Sequence, residues 1–498
     1  MKKVYVRITK QIGFSYLSTI LTFLISPLLV FLLTRTLTVA QYGIYAILAI
    51  TVNVAGVLLD LGLSQYIMSR LAGIPTKQRA RSFFTLSTFL MVFLIAVLAV
   101  VLLTPLQGII LSWLRLTDYV PEFRIALAII LCITLIRLFS AYLTAKKHLI
   151  MVNIVFLLSQ SLWILMLLVG YAITRQLSLL SVMVWWFAGV LVTMLVCGFM
   201  IRREFTHAHP MRTWKPEVIY EGLLFSLPLL FFVTGSWAIE VGNRYLLNGI
   251  LGSEAVALFT LVYSLLGVVA SLGTIVSQTF FPYIAGAWNQ RKNYQVYLNA
   301  SVKYSLMIVV PALVGFLVMR DQIVTLVSGE KYLEAANIIP QLIAYPLLAG
   351  LNYIIYQILL LRRRTVLIGA TYVIGAIINI GLNLYLIPRF SMTGAAIATS
   401  ASYGFVFIVL AWDARKSVRI SASFLKLFRM LAAAIIMGFG VWIANPATAA
   451  TKIITMAAGA VAYFGMLFLF RFFSGKELEL LASVIPAPIR KLIPRLSS

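Results

Sequence analysis

The sequence predicts an all-α integral membrane protein, and three observations carry the prediction. Hydrophobic residues fill 62% of the 498 positions and charged residues only 11%. Fourteen mostly apolar stretches recur along the chain, each close to the ~20 residues a helix needs to cross a ~30 Å hydrocarbon core. Basic residues then mark every second loop, the asymmetry expected of cytosolic segments.

In chain order, spans are expected near 12–34, 42–67, 84–106, 121–143, 150–173, 178–201, 219–239, 255–281, 304–319, 335–361, 365–388, 393–413, 424–444 and 452–473. The first starts behind Lys2, Lys3, Arg7 and Lys10 but runs on without an A-x-A-like site. It reads as a retained span rather than a cleaved leader. The long eighth span is expected to break near Pro282. Cys132 and Cys197 both fall inside apolar spans, so no disulfide framework is implied. The widest gaps, near 202–218 and after 474, are too short for a soluble domain. In the second of these, Pro486, Pro488 and Pro494 oppose one continuous helix.

With the N-terminus in the cytosol, 30 of the 40 basic residues fall on cytosolic segments and nine on the outer side, with Arg137 left inside a span. That split supports an even span count and two cytosolic termini. The formal charge of +26 has the same origin. Nucleic-acid binding would gather such charge on one soluble face; here it is scattered over short loops, so no nucleic acid is expected as partner. Enzyme signatures are missing as well: there is no P-loop, CxxC, HExxH or Gly-x-Ser-x-Gly. His207 and His209 read as a solvated loop rather than a metal pair. Uphill transport would therefore draw on an ion gradient, the membrane potential or substrate supply, with no cofactor.

Internal repetition gives the domain organisation. Leu37–Tyr45 closes the first hairpin, and Leu251–Phe259 closes the seventh-to-eighth in a similar way. Ser64-Gln65 has its counterpart in Ser277-Gln278, and Lys146-Lys147 in Arg362-Arg363-Arg364. In order and at similar offsets, these pairs favour two six-helix lobes related by pseudo-symmetry. The expected division is 1–214, 215–418, and 419–498 for two additional C-terminal helices with the tail.

The run Arg35-x-Leu37-x-x-x-Gln41-Tyr42-Gly43-x-Tyr45 resembles a turn that follows the first helix of polysaccharide flippases. Asp60-x-Gly62 is similar to that family's Asp-x-Gly, and Asn379-x-x-x-Asn383-x-x-Leu386-Ile387-Pro388 with Gly394-Ala395-Ala396 resembles its eleventh-to-twelfth hairpin. These motifs are those of the polysaccharide transporters, including Wzx-type flippases, of the multidrug/oligosaccharidyl-lipid/polysaccharide exporter superfamily. The resemblance implies two lobes about a central cavity in a cell-membrane protein. It also implies movement of a polyprenyl-diphosphate-linked oligosaccharide to the outer leaflet, with polysaccharide polymerase and ligase machinery and membrane lipids as partners. In the seventh span, where members often carry Asp, this chain offers Glu240.

Charges inside the hydrocarbon are costly unless they meet a partner or water, and so point to a site. Arg137, flanked by apolar residues, reads either as an ion pair locking two helices or as a cavity residue. Asp60 either pairs with a nearby cation or serves the site. Glu240 and Arg244, spaced i, i+4, either pair along their helix or part when Arg244 takes a substrate anion. Arg35 lies near the outer interface, where it either snorkels or binds substrate. The expected substrate-binding set is Arg35, Arg137 and Arg244, since the guanidinium fork matches phosphate oxygens. Asp60 and Glu240 are the charge partners or couple to protons or sodium. Pro27, mid-span, is a candidate hinge. Trp113, Trp185, Trp186 and Trp237 read as interface anchors rather than sugar platforms. A cation-coupled drug antiporter and a non-transporting scaffold of a glycan-assembly complex are the competing readings.

The topology is directly testable. Single cysteines at positions 117 and 253 should react with an impermeant thiol reagent from outside, and one at 290 should not. External labelling at 290 would make the span count wrong.

Overall fold

The computed structural model describes residues 27–60, 104–146, 148–205, 216–418, 424–475 and 477, with the isolated positions Ile25, Ser64, Val92 and Ala96. Among them no strand occurs, and ten helices are long and apolar enough to cross a membrane. The all-α membrane class is therefore the observed one. Large apolar side chains stand outward, among them Val366, Ile173, Val461 and Leu469 at 83%, 77%, 73% and 72% exposure. Lipid, not water, is the solvent that tolerates them. The first and third expected spans, and the end of the second, lie largely outside the described residues, as do His207 and His209.

The helices fall into two compact units whose sequences interleave. The first comprises Met1–Tyr263, Val327–Ile338 and Arg364–Val406. It contains α1 (Pro27–Thr36), α2 (Val39–Asp60), α3 (Leu106–Trp113), α4 (Val120–Ala145), α5 (Leu149–Leu157), α6 (Trp163–Thr174), α7 (Leu179–Phe205) and α8 (Pro216–Leu251). The first part of α9 (Ser253–Asn289) and a 3-10 turn at Glu330–Ile338 complete it. The second unit comprises Ser264–Leu326, Ile339–Arg363 and Phe407–Ser498. It is built on α10 (Gln295–Val318), α11 (Arg320–Ser328), α12 (Ala344–Leu361), α14 (Phe424–Ala444) and α15 (Ala449–Leu469). Helix α13 (Thr365–Ala414) passes from the first unit into the second.

Of two expected breaks, one is absent and one is present. Helix α9 runs unbroken across Pro282, because a proline costs one backbone bond and membrane helices re-satisfy the freed carbonyl locally. The expected spans 365–388 and 393–413 both lie in α13, where Ser391 (φ 55°, ψ −139°) turns the chain just after Pro388.

In the first unit the Arg35–Tyr45 turn is explained residue by residue. Thr38 and Gln41 cap the start of α2 reciprocally, each backbone N–H donating to the other's side-chain oxygen at 3.2 Å. Tyr42 meets Tyr332 of the 3-10 turn edge-on at 6.0 Å and stacks on Tyr45 at 6.2 Å. Gly43 faces the backbone carbonyl of Ser253 so closely that no Cβ fits between them. The two hairpins singled out as repeats thus touch each other.

The second unit packs Met319, Ile323, Met430, Ala433, Met437 and Tyr463 into one core. Its tail is tied down by Glu477, whose carboxylate accepts from Lys303 Nζ at 2.7 and 2.8 Å, from the Tyr304 hydroxyl at 2.7 Å and from Ser474 N–H and hydroxyl at 2.8 Å each.

Two predictions follow from these contacts. Gly43→Ala should destabilise the detergent-solubilised protein by about 1–3 kcal/mol, since overlap forces the backbone apart; a variant melting with the parent would refute the close approach. Burial would raise the Glu477 carboxyl, but the hydrogen bonds from Lys303, Ser474 and Tyr304 outweigh it and hold the group down at about 2. A depressed carboxylate lends stability above its ordinary value of about 4.5 and loses it as pH falls toward about 2. Protease cleavage near residue 474 should therefore accelerate across that window, and Glu477→Gln should show the fast rate already at neutral pH.

Candidate functional site

Within the first unit, α2, α4, α5, α6 and α7 surround a cavity of about 490 Å³. Its volume lies in the range of ligand sites. Asp60, the last residue of α2, and Arg137, two-thirds along α4, both line it. Asp60 is only 8% exposed and accepts from Ser64 through its hydroxyl at 2.5 Å and its N–H at 3.3 Å. Among the described residues no ion pair joins Asp60 to Arg137. The two opposite charges line one cavity and act on each other across it.

The rest of the wall is neutral and aromatic. Asn53, Ser140, Thr144, Ser159 and Gln160 contribute polar groups. Trp163 and Trp186 stack at 5.3 Å, and Tyr45 leans on Trp186 at 6.1 Å. Gly189 seats that stack, for a Cβ there would lie 2.5 Å from the Trp163 Cβ. Trp186 is buried at 5% exposure, so it is a cavity residue and not an interface anchor. Trp113, 69% exposed, has the exposure that an anchor requires. Between α5 and α6 the residues Leu158–Leu162 form a π turn, which inserts one residue into the helical register and turns Ser159 and Gln160 to the cavity. Neither the π turn nor the indole stack is encoded in a local motif. Ser159-Gln160-Ser161 inside an otherwise apolar span was the available signal.

Glu240 and Arg244 come together elsewhere in the same unit. The Arg244 guanidinium turns back to the Glu240 backbone carbonyl, bonds Asn243 Oδ1 at 3.1 Å and lies over the rings of Tyr263 and Phe259 at 4.1 and 5.3 Å. The Glu240 carboxylate accepts from Tyr403. Asn243 also donates to Thr399 at 3.0 Å, and Asn379 to Ser402 at 3.1 Å. Buried amides and hydroxyls therefore join α8 to α13 and hold α13's own hairpin closed, as polar groups do in a medium without water. An apolar crevice of about 190 Å³ opens between α2 and α8, lined by Val54, Leu58, Trp237 and Tyr245 among others.

Arg35 stands apart from both groups. Its Nε donates to the Val327 carbonyl at 3.4 Å, while Lys331 beside it donates to the Leu37 carbonyl at 2.6 Å. Partial burial, and then the Arg35 charge, hold the Lys331 ammonium below its ordinary value. The structure thus unites Asp60 with Arg137 and Glu240 with Arg244, and sets Arg35 on the 327–338 segment. Lys331 was not foreseen, because only the fold brings it to the first hairpin. Pro27 lies in helical backbone, as does Ile25 before it, and is exposed.

Comparison with known proteins places this arrangement. The family described as polysaccharide biosynthesis protein matches residues 8–288. The chain belongs to that family. Its relatives include the probable low-salt glycan biosynthesis flippase Agl15 of Haloferax volcanii, 29% identical over 130 residues, 26% of this chain and 28% of the relative. The match thus spans little more than a quarter of that relative's length. Among solved structures, the lipid II flippase MurJ in an inward closed conformation has a TM-score of 0.76 at 15% identity, covering 92% of this chain and 98% of its own. An inward-facing multidrug resistance transporter of the MATE family gives 0.62 at 14% identity, covering 80% and 94%. These likenesses establish the fold: a multi-pass helical membrane protein of the same architecture.

Proposed function

We propose that this protein moves a polyprenyl-diphosphate-linked oligosaccharide from the cytosolic to the outer leaflet by alternating access. The observation that carries the reading is an arginine and an aspartate lining a cavity within helices that are otherwise apolar. Such groups are costly there without a polar ligand or water, and a diphosphate supplies what Arg137 lacks in the apolar span. Family membership and the likeness to Agl15 and MurJ support the same class of substrate.

In this reading Arg137 meets the diphosphate in the cavity, with Arg244 and Arg35 as further contacts on its path. Asp60 and Glu240 balance those charges or couple the cycle to protons, sodium or the membrane potential. Residues 1–214 and 215–418 form the rocking lobes, Pro27 lets the first span bend, and 419–498 adds two helices beside them. The apolar crevice between α2 and α8 suits part of a prenyl chain. Both termini lie in the cytosol of a multi-pass cell-membrane protein, and polymerase and ligase enzymes take the product. A cation-coupled drug antiporter would want an acid-dominated cavity, whereas among the described lining residues Asp60 is matched by Arg137. A scaffold would leave the cost of those charges unexplained.

The test is transport of a fluorescent polyprenyl-diphosphate glycan in proteoliposomes. Arg137→Ala should lower the rate by about tenfold or more, the loss expected for a hydrogen bond to a charged group, and Arg137→Lys by less. Glu240→Gln should shift the pH or sodium dependence if it couples. Arg137→Ala and Arg244→Ala proteins that insert normally and transport at the parent rate would end the arginine mechanism.

A further inference from the structure

Resting on the flippase reading, we infer that the uncharged wall of the 490 Å³ cavity recognises the saccharide part of the substrate. Gln160 and the Trp163–Trp186 stack are its specificity-determining side chains.

The cavity combines two chemistries. Asp60 and Arg137 suit a charged group. A diphosphate only accepts hydrogen bonds, so it leaves the amide and hydroxyl oxygens and the indole faces unused, and a prenyl chain would leave the amides and hydroxyls unsatisfied. A sugar needs both kinds of neutral surface: its hydroxyls give and accept hydrogen bonds, and its C–H faces pack on aromatic surfaces.

Gln160 is the sharpest element. Its side chain is exposed and lines the cavity, and its amide bonds to no other described residue. One acceptor and two donors therefore remain for a ligand. Its neighbours are partly committed: Asn53 Nδ2 donates to the Ala49 carbonyl at 2.8 Å and the Ser159 hydroxyl to Phe156 at 2.9 Å. Those bonds leave their oxygens as acceptors. Gln160 reaches the cavity through the π turn at Leu158–Leu162, a helical irregularity that is rare and concentrated at functional sites. Directly after the turn comes Trp163, 6% exposed and held face to face with Trp186. This stack is a rigid wall, so a sugar ring meets it without an ordering cost from the protein.

The experiment compares two probes in proteoliposomes: polyprenyl diphosphate bearing a neutral tetrasaccharide, and polyprenyl diphosphate bearing none. For Gln160→Ala the ratio of the two rates should fall about tenfold against the parent, the loss of one or two hydrogen bonds, and Gln160→Asn should recover part of it. Trp186→Leu should lower the same ratio, and yield and melting temperature identify any general damage from it. Equal losses on both probes, or an unchanged ratio in Gln160→Ala, overturn the saccharide wall alone. A parent protein that moves neither lipid overturns the flippase reading, and the wall with it.

Discussion

The contact between Gly43 and the Ser253 carbonyl decides where α2 stands, and most of the site hangs on α2. With the helix seated there, Tyr42 reaches Tyr332 and Tyr45 reaches Trp186. Further along the same helix, Asn53 and Asp60 enter the cavity. A side chain at position 43 would push the helix away from α9 and spread that displacement over four wall residues. The glycine of the Tyr42-Gly43 pair is thus a packing requirement with a functional reach.

Charge placement obeys a second constraint. Each ionisable group inside the apolar helices is answered locally, but the answers differ in kind. Arg244 is answered by a carbonyl, an amide and two aromatic faces, at 3% exposure. Asp60 is answered by the hydroxyl and N–H of Ser64, and Arg137 by the Asp60 charge across the cavity. The first arrangement is buried and already engaged, so a ligand taking Arg244 must rearrange those contacts. The second has capacity to spare. On this ground Arg137 is the better placed of the two for the proposed anion, a ranking that charge and spacing alone do not give.

Much of the class and little of the site could be read from the chain. Apolar length and basic loops mark the helices because both are one-dimensional properties. Asp60, Arg137, Glu240 and Arg244 stand out because a charge among apolar residues is conspicuous wherever it lies. Trp163 and Trp186 do not, since an indole in an apolar span looks the same at a lipid face or a cavity wall. Lys331 and Lys303 carry no local signal beyond their charge, although the fold commits them to the Leu37 carbonyl and to Glu477. The Ser474-x-x-Glu477 spacing was a legible signal, being the pattern of a helix-capping box.

The interleaving of the two units has a consequence for biogenesis. The first unit needs Val327–Ile338 and Arg364–Val406 as well as the chain before Tyr263. It cannot close while only its early helices have left the ribosome. The cavity around Asp60 and Arg137 draws only on residues up to Trp186, but the unit's last segment arrives when roughly four-fifths of the 498 residues have been made. Long-range closure of this sort is slow and leaves polar groups unmatched in lipid meanwhile. Groups such as Asn243, whose partner Thr399 lies in that last segment, must therefore persist in lipid before their partners are made.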